Sequence, residues 1–375
     1  MLARDLDTPN LLLDLDAMEH NISKMADFFS GKKADLRPHV KPHKSPAIAW
    51  KQIEAGAKGV TCAKLGEAET MALSGINDIL IANEIVGQTK VERLMNLSER
   101  AEVIVAVDNE QNARELSDAA KARGHKLGVL LDLNLGKVVD EDSIVDRCGN
   151  KGVLDRCGVL PGKPALEFAQ ILVNLEGLTF RGLMGYEGGL RAFVEYEQRK
   201  EACENGLKLI IETRDLLMDN GIYSEIVSAG GSSTYSITGS YPGITEVQAG
   251  SYVLMDTFLR RMDKMDFRYA ISVLTTIISR PYPEKGIIDV GLKGICRDNG
   301  LPIVKDTSGV EVISLNLEHG HLILNNSSRS LNVGDKIELL PSDADTLVNL
   351  YDKYSLVRNG SFVETWDVAA RGKVQ

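Results

Sequence analysis

From about residue 35 to residue 257, short apolar runs rich in Val, Ile and Leu alternate with longer amphipathic stretches. Runs that are apolar on both faces predict strands at Leu36 to Val40, Gly59 to Ala63, Asp78 to Asn83, Glu102 to Asp108, Leu127 to Asn134, Leu178 to Met184, Glu225 to Gly230 and Thr245 to Ser251. Between them the spacing predicts helices, among them Ser45 to Ala57, Gly66 to Leu73, Glu110 to Arg123, Lys163 to Leu175 and Val194 to Asn220, most closed by glycine. Eight strand-then-helix units in about 215 residues predict the α/β class and a (β/α)8 barrel. An open, doubly wound sheet is the alternative that the same pattern allows.

After Thr257 the texture changes to short alternating segments punctuated by Gly, Pro and Asn: Ala270 to Ser279, Gly286 to Val290, Gly309 to Leu317, Lys336 to Leu340 and Tyr354 to Val357. This predicts a smaller, mostly β domain. The leading segment Pro9 to Leu15, ahead of a helix over Asp16 to Phe29, is assigned to it. The predicted organisation is thus a barrel over residues 16–257 and a β domain built from residues 1–15 and 258–375.

Composition narrows the functional classes. The chain has 375 residues, 43% hydrophobic and 26% charged, with 53 acidic against 43 basic side chains and a formal charge of -10. Scattered basic residues in an acidic chain disfavour a nucleic-acid partner and favour small-molecule substrates. No apolar run nears the roughly 20 residues that span a bilayer, so no membrane association is expected. The first residues lack the charged and apolar pattern of a secretory signal, which leaves the cytoplasm. Five scattered cysteines, Cys62, Cys148, Cys157, Cys203 and Cys296, without a C-x-x-C pair, are expected to be reduced thiols.

A barrel gathers its chemistry at the carboxyl ends of its strands. After the seventh strand comes Gly230-Gly231-Ser232-Ser233-Thr234, and after the eighth Gly250-Ser251-Tyr252. Each offers unhindered N–H groups and hydroxyls, which suit a phosphate dianion at the place where barrels commonly hold one. Glycines that merely turn the chain are the plainer reading of either loop alone. Lys41 closes the first strand, behind Arg37, Pro38, His39 and Val40, a basic cluster unsuited to a buried bottom face. A lysine opposite a phosphate site suits pyridoxal phosphate, whose aldehyde forms a Schiff base with a lysine amine. Lys44 and Lys64 read more simply as solvated surface lysines.

Several motifs, in order and nearly end to end, give the chain a family resemblance. Leu36-Arg37-Pro38-His39-Val40-Lys41-Pro42-His43-Lys44, Cys62-Ala63-Lys64-Leu65-Gly66-Glu67, Arg156-Cys157-Gly158-Val159, Gly185-Tyr186-Glu187-Gly188, Val227-Ser228-Ala229-Gly230-Gly231 and Val247-Gln248-Ala249-Gly250-Ser251-Tyr252 resemble the D-threonine aldolase and D-serine dehydratase family. The resemblance implies an alanine-racemase-like barrel with a β domain, a homodimer, and pyridoxal phosphate on Lys41. It implies Gly230, Gly231, Ser232, Ser233, Thr234, Gly250, Ser251 and Tyr252 as the phosphate cradle, Tyr186 near the pyridine ring, and Arg156 as the motif arginine. Arg147 lies in a nearby echo of that motif, Ile144-Val145-Asp146-Arg147-Cys148-Gly149. The activity implied is aldol cleavage of D-3-hydroxy amino acids, with dehydration to ammonia and a 2-oxo acid as the alternative. Racemisation, or cofactor binding without turnover, stands further off.

The resemblance also implies a metal site, and here the chain departs. The family carries His, then Asp in aldolases or Cys in dehydratases two residues later. This chain has Asp343 and Asp345. The second agrees with the aldolase type, and two carboxylates favour a hard ion such as Mg²⁺ or Mn²⁺. Asp-x-Asp on a solvated turn is the plainer reading. Gly189 stands where many relatives have a histidine, and His319 matches a family histidine that could equally be a structural imidazole.

Overall fold

The computed structural model describes residues 1–136, 155–325 and 330–375, together with the backbone of Val138–Asp140 and Ser143–Val145. Arg147 and the first copy of the echoed motif's Arg-Cys-Gly lie outside the described residues. The eight predicted barrel strands form one parallel sheet: Asp35–Leu36, Val60–Cys62, Asp78–Glu84, Glu102–Val107, Leu127–Leu133, Leu178–Gly185, Ile226–Ala229 and Glu246–Val247. The eighth pairs with the first, Glu246 opposite Asp35 and Val247 opposite Leu36. The cylinder closes where His39 bridges Thr61, with the Val40 N–H donating to the Thr61 carbonyl at 2.8 Å. The first strand, Asp35–Leu36, is shorter than its apolar pattern predicts, although beyond it the Arg37 and His39 N–H groups still donate to the Val247 and Ala249 carbonyls at 2.9 and 3.2 Å.

Alternation along the strands divides the packing. Leu80, Ile104, Ala106, Leu130, Met184 and Ile226 form one buried cluster, while the intervening residues such as Ile79, Ile81, Val103 and Val105 join the larger core. That period of two gives each strand one face toward the barrel interior and one beneath the helices. Arg37 corrects the sequence reading. It is fully buried, with Nε 3.0 Å from Glu246 and Nη1 2.5 Å from Asp78. Two carboxylates neutralise it, so burial and a cationic residue coexist.

The β domain is built around Ile271–Tyr282, which pairs with Asn10–Asp14, Lys285–Ile288 and Lys336–Leu340. Asn10–Asp14 also runs parallel to Lys353–Arg358. From it the chain enters the helix Leu15–Phe29, capped by Asp14, whose carboxylate accepts from the Ala17 N–H at 3.0 Å. Buried Asn21 on that helix donates to the Val253 and Arg268 carbonyls and accepts from the Arg268 N–H. These bonds anchor the chain just beyond the last barrel loop. No helix among the described residues is long and apolar enough to cross a membrane.

Candidate functional site

A cavity opens at the carboxyl ends of the strands. Its walls include His39 and Lys41 from the first strand end, Asp132 from the fifth, Tyr186 from the sixth, Gly230 to Ser232 from the seventh, and Gln248, Gly250 and Ser251 from the eighth. Arg156 enters from the loop after the fifth strand.

Of the lysines near the first two strand ends, Lys41 is the one on this cavity. Its Nζ lies 3.5 Å from Asp345 Oδ2. The Asp345 charge raises its pKa above the ordinary lysine value, against the opposing effects of burial and the Arg191 charge. Lys44 is buried and ion-paired with Glu67, whose other oxygen accepts the Ala63 N–H at 2.8 Å. Lys44 thus ties the first two strand ends together, which corrects its reading as a solvated lysine. His39 is held neutral, its pKa driven well down by burial and then by the charge of Lys41. It accepts from the Lys41 N–H through Nδ1 at 3.4 Å.

The two glycine loops stand on the opposite wall. Gly230 has φ +78°, a conformation that favours glycine, and its N–H donates to Glu187 at 3.2 Å. Glu187 is buried and also accepts from the Thr234 hydroxyl at 2.8 Å, the Thr238 hydroxyl at 3.1 Å and the Cys203 thiol at 3.4 Å. One carboxylate therefore fixes the shape of the whole turn. Among the described residues the N–H groups of Ser232, Ser233, Gly250 and Ser251 have no acceptor within the chain. These are uncommitted donors of the kind an anion needs.

The remaining cradle residues are placed differently. The Thr234 hydroxyl is spent on Glu187, and the Ser233 carbonyl accepts from buried Arg199 at 3.0 Å. Tyr252 is fully buried, its hydroxyl accepting from Gln52 at 2.9 Å, and its N–H donates to Ser232 Oγ at 3.0 Å. It braces the seventh loop against the eighth, with its ring in the core. A Cβ at Gly250 would meet the His39 carbonyl oxygen at 2.6 Å. Gly250→Ala should therefore push the eighth loop off the first strand end and cost about 1–3 kcal/mol. Chemical denaturation would register that loss, and an unchanged midpoint would refute the close approach.

Arg156 sits against the carboxyl ends of the third and fifth strands. Its Nη2 lies 3.3 Å from Cys157 Sγ, and the Cys157 thiol donates to Asp132 Oδ2 at 3.4 Å. Glu84, Asp132 and Cys157 bring one ligand atom each within 4.8 Å of one another. Burial and the neighbouring Glu84 push the Asp132 carboxyl above the ordinary carboxylate range. The Arg156 guanidinium also lies 5.8 Å over the Tyr186 ring.

Asp343 caps the short helix Ala344–Val348, accepting from the Thr346 N–H at 3.0 Å, while its other oxygen accepts from Asn299 at 2.8 Å and lies 3.9 Å from Arg191. Asp345 accepts from the Ser251 hydroxyl at 3.1 Å and faces Lys41. Asp256, pushed up to about 7 mainly by burial and further by Asp343 and Asp345, accepts from the Ala344 N–H. The carboxylates of Asp256, Asp343 and Asp345 repel one another, while the metal-capable side chains whose ligand atoms converge among the described residues are Glu84, Asp132 and Cys157. His319 lies exposed on the turn before Gly320–Leu324 and is not on the cavity wall.

Sequence reading had placed Lys41, Arg156, Tyr186, Gly230, Gly231, Ser232, Gly250 and Ser251 near a common site, and all line the cavity. It gave no role to Glu187, His39, Asp132 or Gln248. Their signal was position alone, at or beside a strand end.

Residues 13–257 match the model of the alanine racemase N-terminal domain, and residues 270–357 that of a putative serine dehydratase domain. The chain is 34% identical to a 3-hydroxy-D-aspartate aldolase of Paracoccus denitrificans (strain Pd 1222), over 98% of this chain and 93% of that protein. It is 33% identical to a D-threonine aldolase of an Arthrobacter species, over 99% and 94% respectively. Its fold superposes on the crystal structure of D-threonine aldolase from Filomicrobium marinum with a TM-score of 0.92 and 36% identity, covering 100% of this chain and 99% of that one.

Proposed function

Because this chain belongs to the alanine-racemase-like family in which that N-terminal domain is joined to a serine dehydratase domain, we propose that it is a pyridoxal-phosphate-dependent lyase that cleaves D-3-hydroxy amino acids to glycine and an aldehyde. The observation that carries this reading is the single cavity with Lys41 on one wall and the free N–H donors of two glycine loops on the other. That pairing of a reactive amine with an anion cradle is the donor chemistry pyridoxal phosphate requires.

Lys41 would hold the cofactor at its aldehyde and Ser232, Ser233, Gly250 and Ser251 would hold its phosphate, with Gly230, Gly231 and Thr234 shaping the cradle and Tyr252 bracing it. Tyr186 and Arg156, stacked on the same cavity, would contact its ring. When bound, the cofactor supplies an electron-withdrawing ring that weakens the bonds at the substrate's Cα. Asp343 and Asp345 would hold a hard divalent ion such as Mg²⁺ or Mn²⁺, whose chemistry is to polarise the substrate's 3-hydroxyl.

The reaction breaks the Cα–Cβ bond. The 3-hydroxyl loses its proton as its carbon becomes a carbonyl, and Cα gains a proton to complete glycine. Asp345, next to the Lys41 amine, is the carboxylate placed to accept the hydroxyl proton. Neutral His39 donates no charge to the cavity, which leaves Lys41 and Arg156 as its cations.

Incubating the cofactor-loaded protein with D-threonine should yield glycine and acetaldehyde. The rate should fall on chelation with EDTA and recover with Mn²⁺. Ammonia with a 2-oxo acid, or equal cleavage of L-threonine, would overturn the reading.

A further inference from the structure

Resting on the pyridoxal-phosphate reading above, we infer that Gln52 is a positioning residue: with His43 and Tyr252 it forms a buried relay that fixes the span between Lys41 and the phosphate cradle. A cofactor held at both ends binds well only when its two holding points keep the right separation. The barrel sheet sets that separation only in part. Toward the eighth strand its pairing reaches the His39 N–H, which donates to the Ala249 carbonyl at 3.2 Å. Lys41 lies beyond that bond, and Ser232 and Ser233 belong to the loop after the seventh strand.

Lys41 rides on a tight turn in which the His43 and Lys44 N–H groups both donate to the Val40 carbonyl, at 3.1 and 2.8 Å. His43 anchors this turn from the inside. It is fully buried, its carbonyl accepts from the buried Tyr354 hydroxyl at 2.7 Å, and its Nδ1 accepts from the Ser45 N–H at 3.2 Å. Burial drives its pKa down to about 3, so the ring is neutral, and the bond to Nδ1 assigns its proton to Nε2.

That proton faces Gln52, on the helix Pro46–Glu54. His43 Nε2 and Gln52 Oε1 are both buried, and neither has another partner, so this donor and this acceptor have only each other. The other end of the amide is committed as well: Gln52 Nε2 donates to the Tyr252 hydroxyl at 2.9 Å. Tyr252 in turn donates its N–H to Ser232 Oγ at 3.0 Å, which leaves the Ser232 hydroxyl proton and N–H for an anion. The relay thus runs from the turn that carries the lysine to the turn that takes the phosphate, and every residue in it is buried. On their outer side Gln52 and Tyr252 border a cavity of about 220 Å³, which also touches the helix Leu15–Phe29. An apolar side chain of similar length at position 52 therefore has room, and the packing survives while the relay breaks.

The test measures dissociation constants of pyridoxal phosphate, pyridoxal and pyridoxine 5′-phosphate for the cofactor-free protein and for its Gln52→Met, Tyr252→Phe and Gln52→Glu variants. Pyridoxal engages the lysine end alone, and pyridoxine 5′-phosphate the cradle end alone. Gln52→Met should weaken pyridoxal phosphate by about tenfold or more while changing either single-ended ligand by less than about threefold. Tyr252→Phe keeps the ring and the N–H to Ser232 but drops the hydroxyl. It should act in the same direction, and it carries the test should Gln52→Met fail to fold. Gln52→Glu should recover part of the loss, since its carboxylate accepts from His43 and from a Tyr252 hydroxyl turned to donate. Equal losses of all three ligands, or full affinity for pyridoxal phosphate in both Gln52→Met and Tyr252→Phe, overturn the inference and leave the lyase reading standing. A wild type that takes up no pyridoxal phosphate defeats the lyase reading itself.

Discussion

Replacing Lys41 by alanine should abolish retention of pyridoxal phosphate through gel filtration, erase the visible absorbance of the loaded protein, and lower turnover of D-threonine by roughly a thousandfold or more. Thermal stability should stay close to wild type, because this side chain opens onto a cavity and its one ion pair, to Asp345, is partly exposed. Full absorbance in the variant would move the attachment point elsewhere. The nearby lysines offer poor substitutes, one locked to Glu67 and the other, Lys64, not on the cavity wall.

Asp345→Asn refines the same experiment. The Asp345 carboxylate is the largest influence raising the Lys41 pKa. Its removal disfavours the ammonium, so the amine should deprotonate, and the cofactor attach, at lower pH than in wild type. Recording absorbance against pH during reconstitution of both proteins reads the shift directly. A midpoint that stays put or moves upward contradicts the contact.

Replacing Glu187 by alanine should be the most damaging change away from the reactive amine. It strands the Gly230 N–H and the Thr234 and Thr238 hydroxyls without their acceptor, at about 1–3 kcal/mol for each that stays buried and unpaired. The turn that presents Ser232 and Ser233 should then lose its shape. Glu187→Gln preserves volume and one carbonyl acceptor, and should recover part of the stability. Both variants should bind pyridoxal phosphate more weakly, on the order of tenfold to a hundredfold, while pyridoxal without its phosphate binds nearly as before. Equal losses for the two forms of the cofactor would show that the residue supports only the fold.

Much of this architecture was legible because barrel strands are apolar on both faces. Runs such as Asp78 to Asn83 and Glu102 to Asp108 stand out in any window, and the structure keeps all eight as strands. The ends were harder. At the first strand the regular pairing covers only Asp35–Leu36, yet the Arg37 and His39 N–H groups go on donating to the Val247 and Ala249 carbonyls, and His39 bridges Thr61. Glycine loops announced themselves by composition. Their support did not, since Glu187 lies 43 residues from Gly230 in sequence and 3.2 Å from it in space. Composition likewise could not separate Lys41 from Lys44. The distinction rests on Glu67, a helical residue that captures one lysine and leaves the other facing the cavity. Nor could it tell that Tyr252, in the midst of a cradle motif, turns its ring into the core beside Phe267.

The strand Asn10–Asp14 is hydrogen-bonded to Ile271–Tyr282 on one side and Lys353–Arg358 on the other. As the polypeptide emerges from a ribosome, that early segment finds neither neighbour until more than two hundred further residues have been made. The barrel can condense meanwhile, whereas the sheet beside it must wait for late synthesis to supply its middle. Such long-range closure is entropically slow and leaves an unpaired edge exposed in the interim. The vulnerable moment in the biogenesis of this molecule is therefore the interval before Lys353–Arg358 arrives, and chaperone capture or aggregation is most to be expected there.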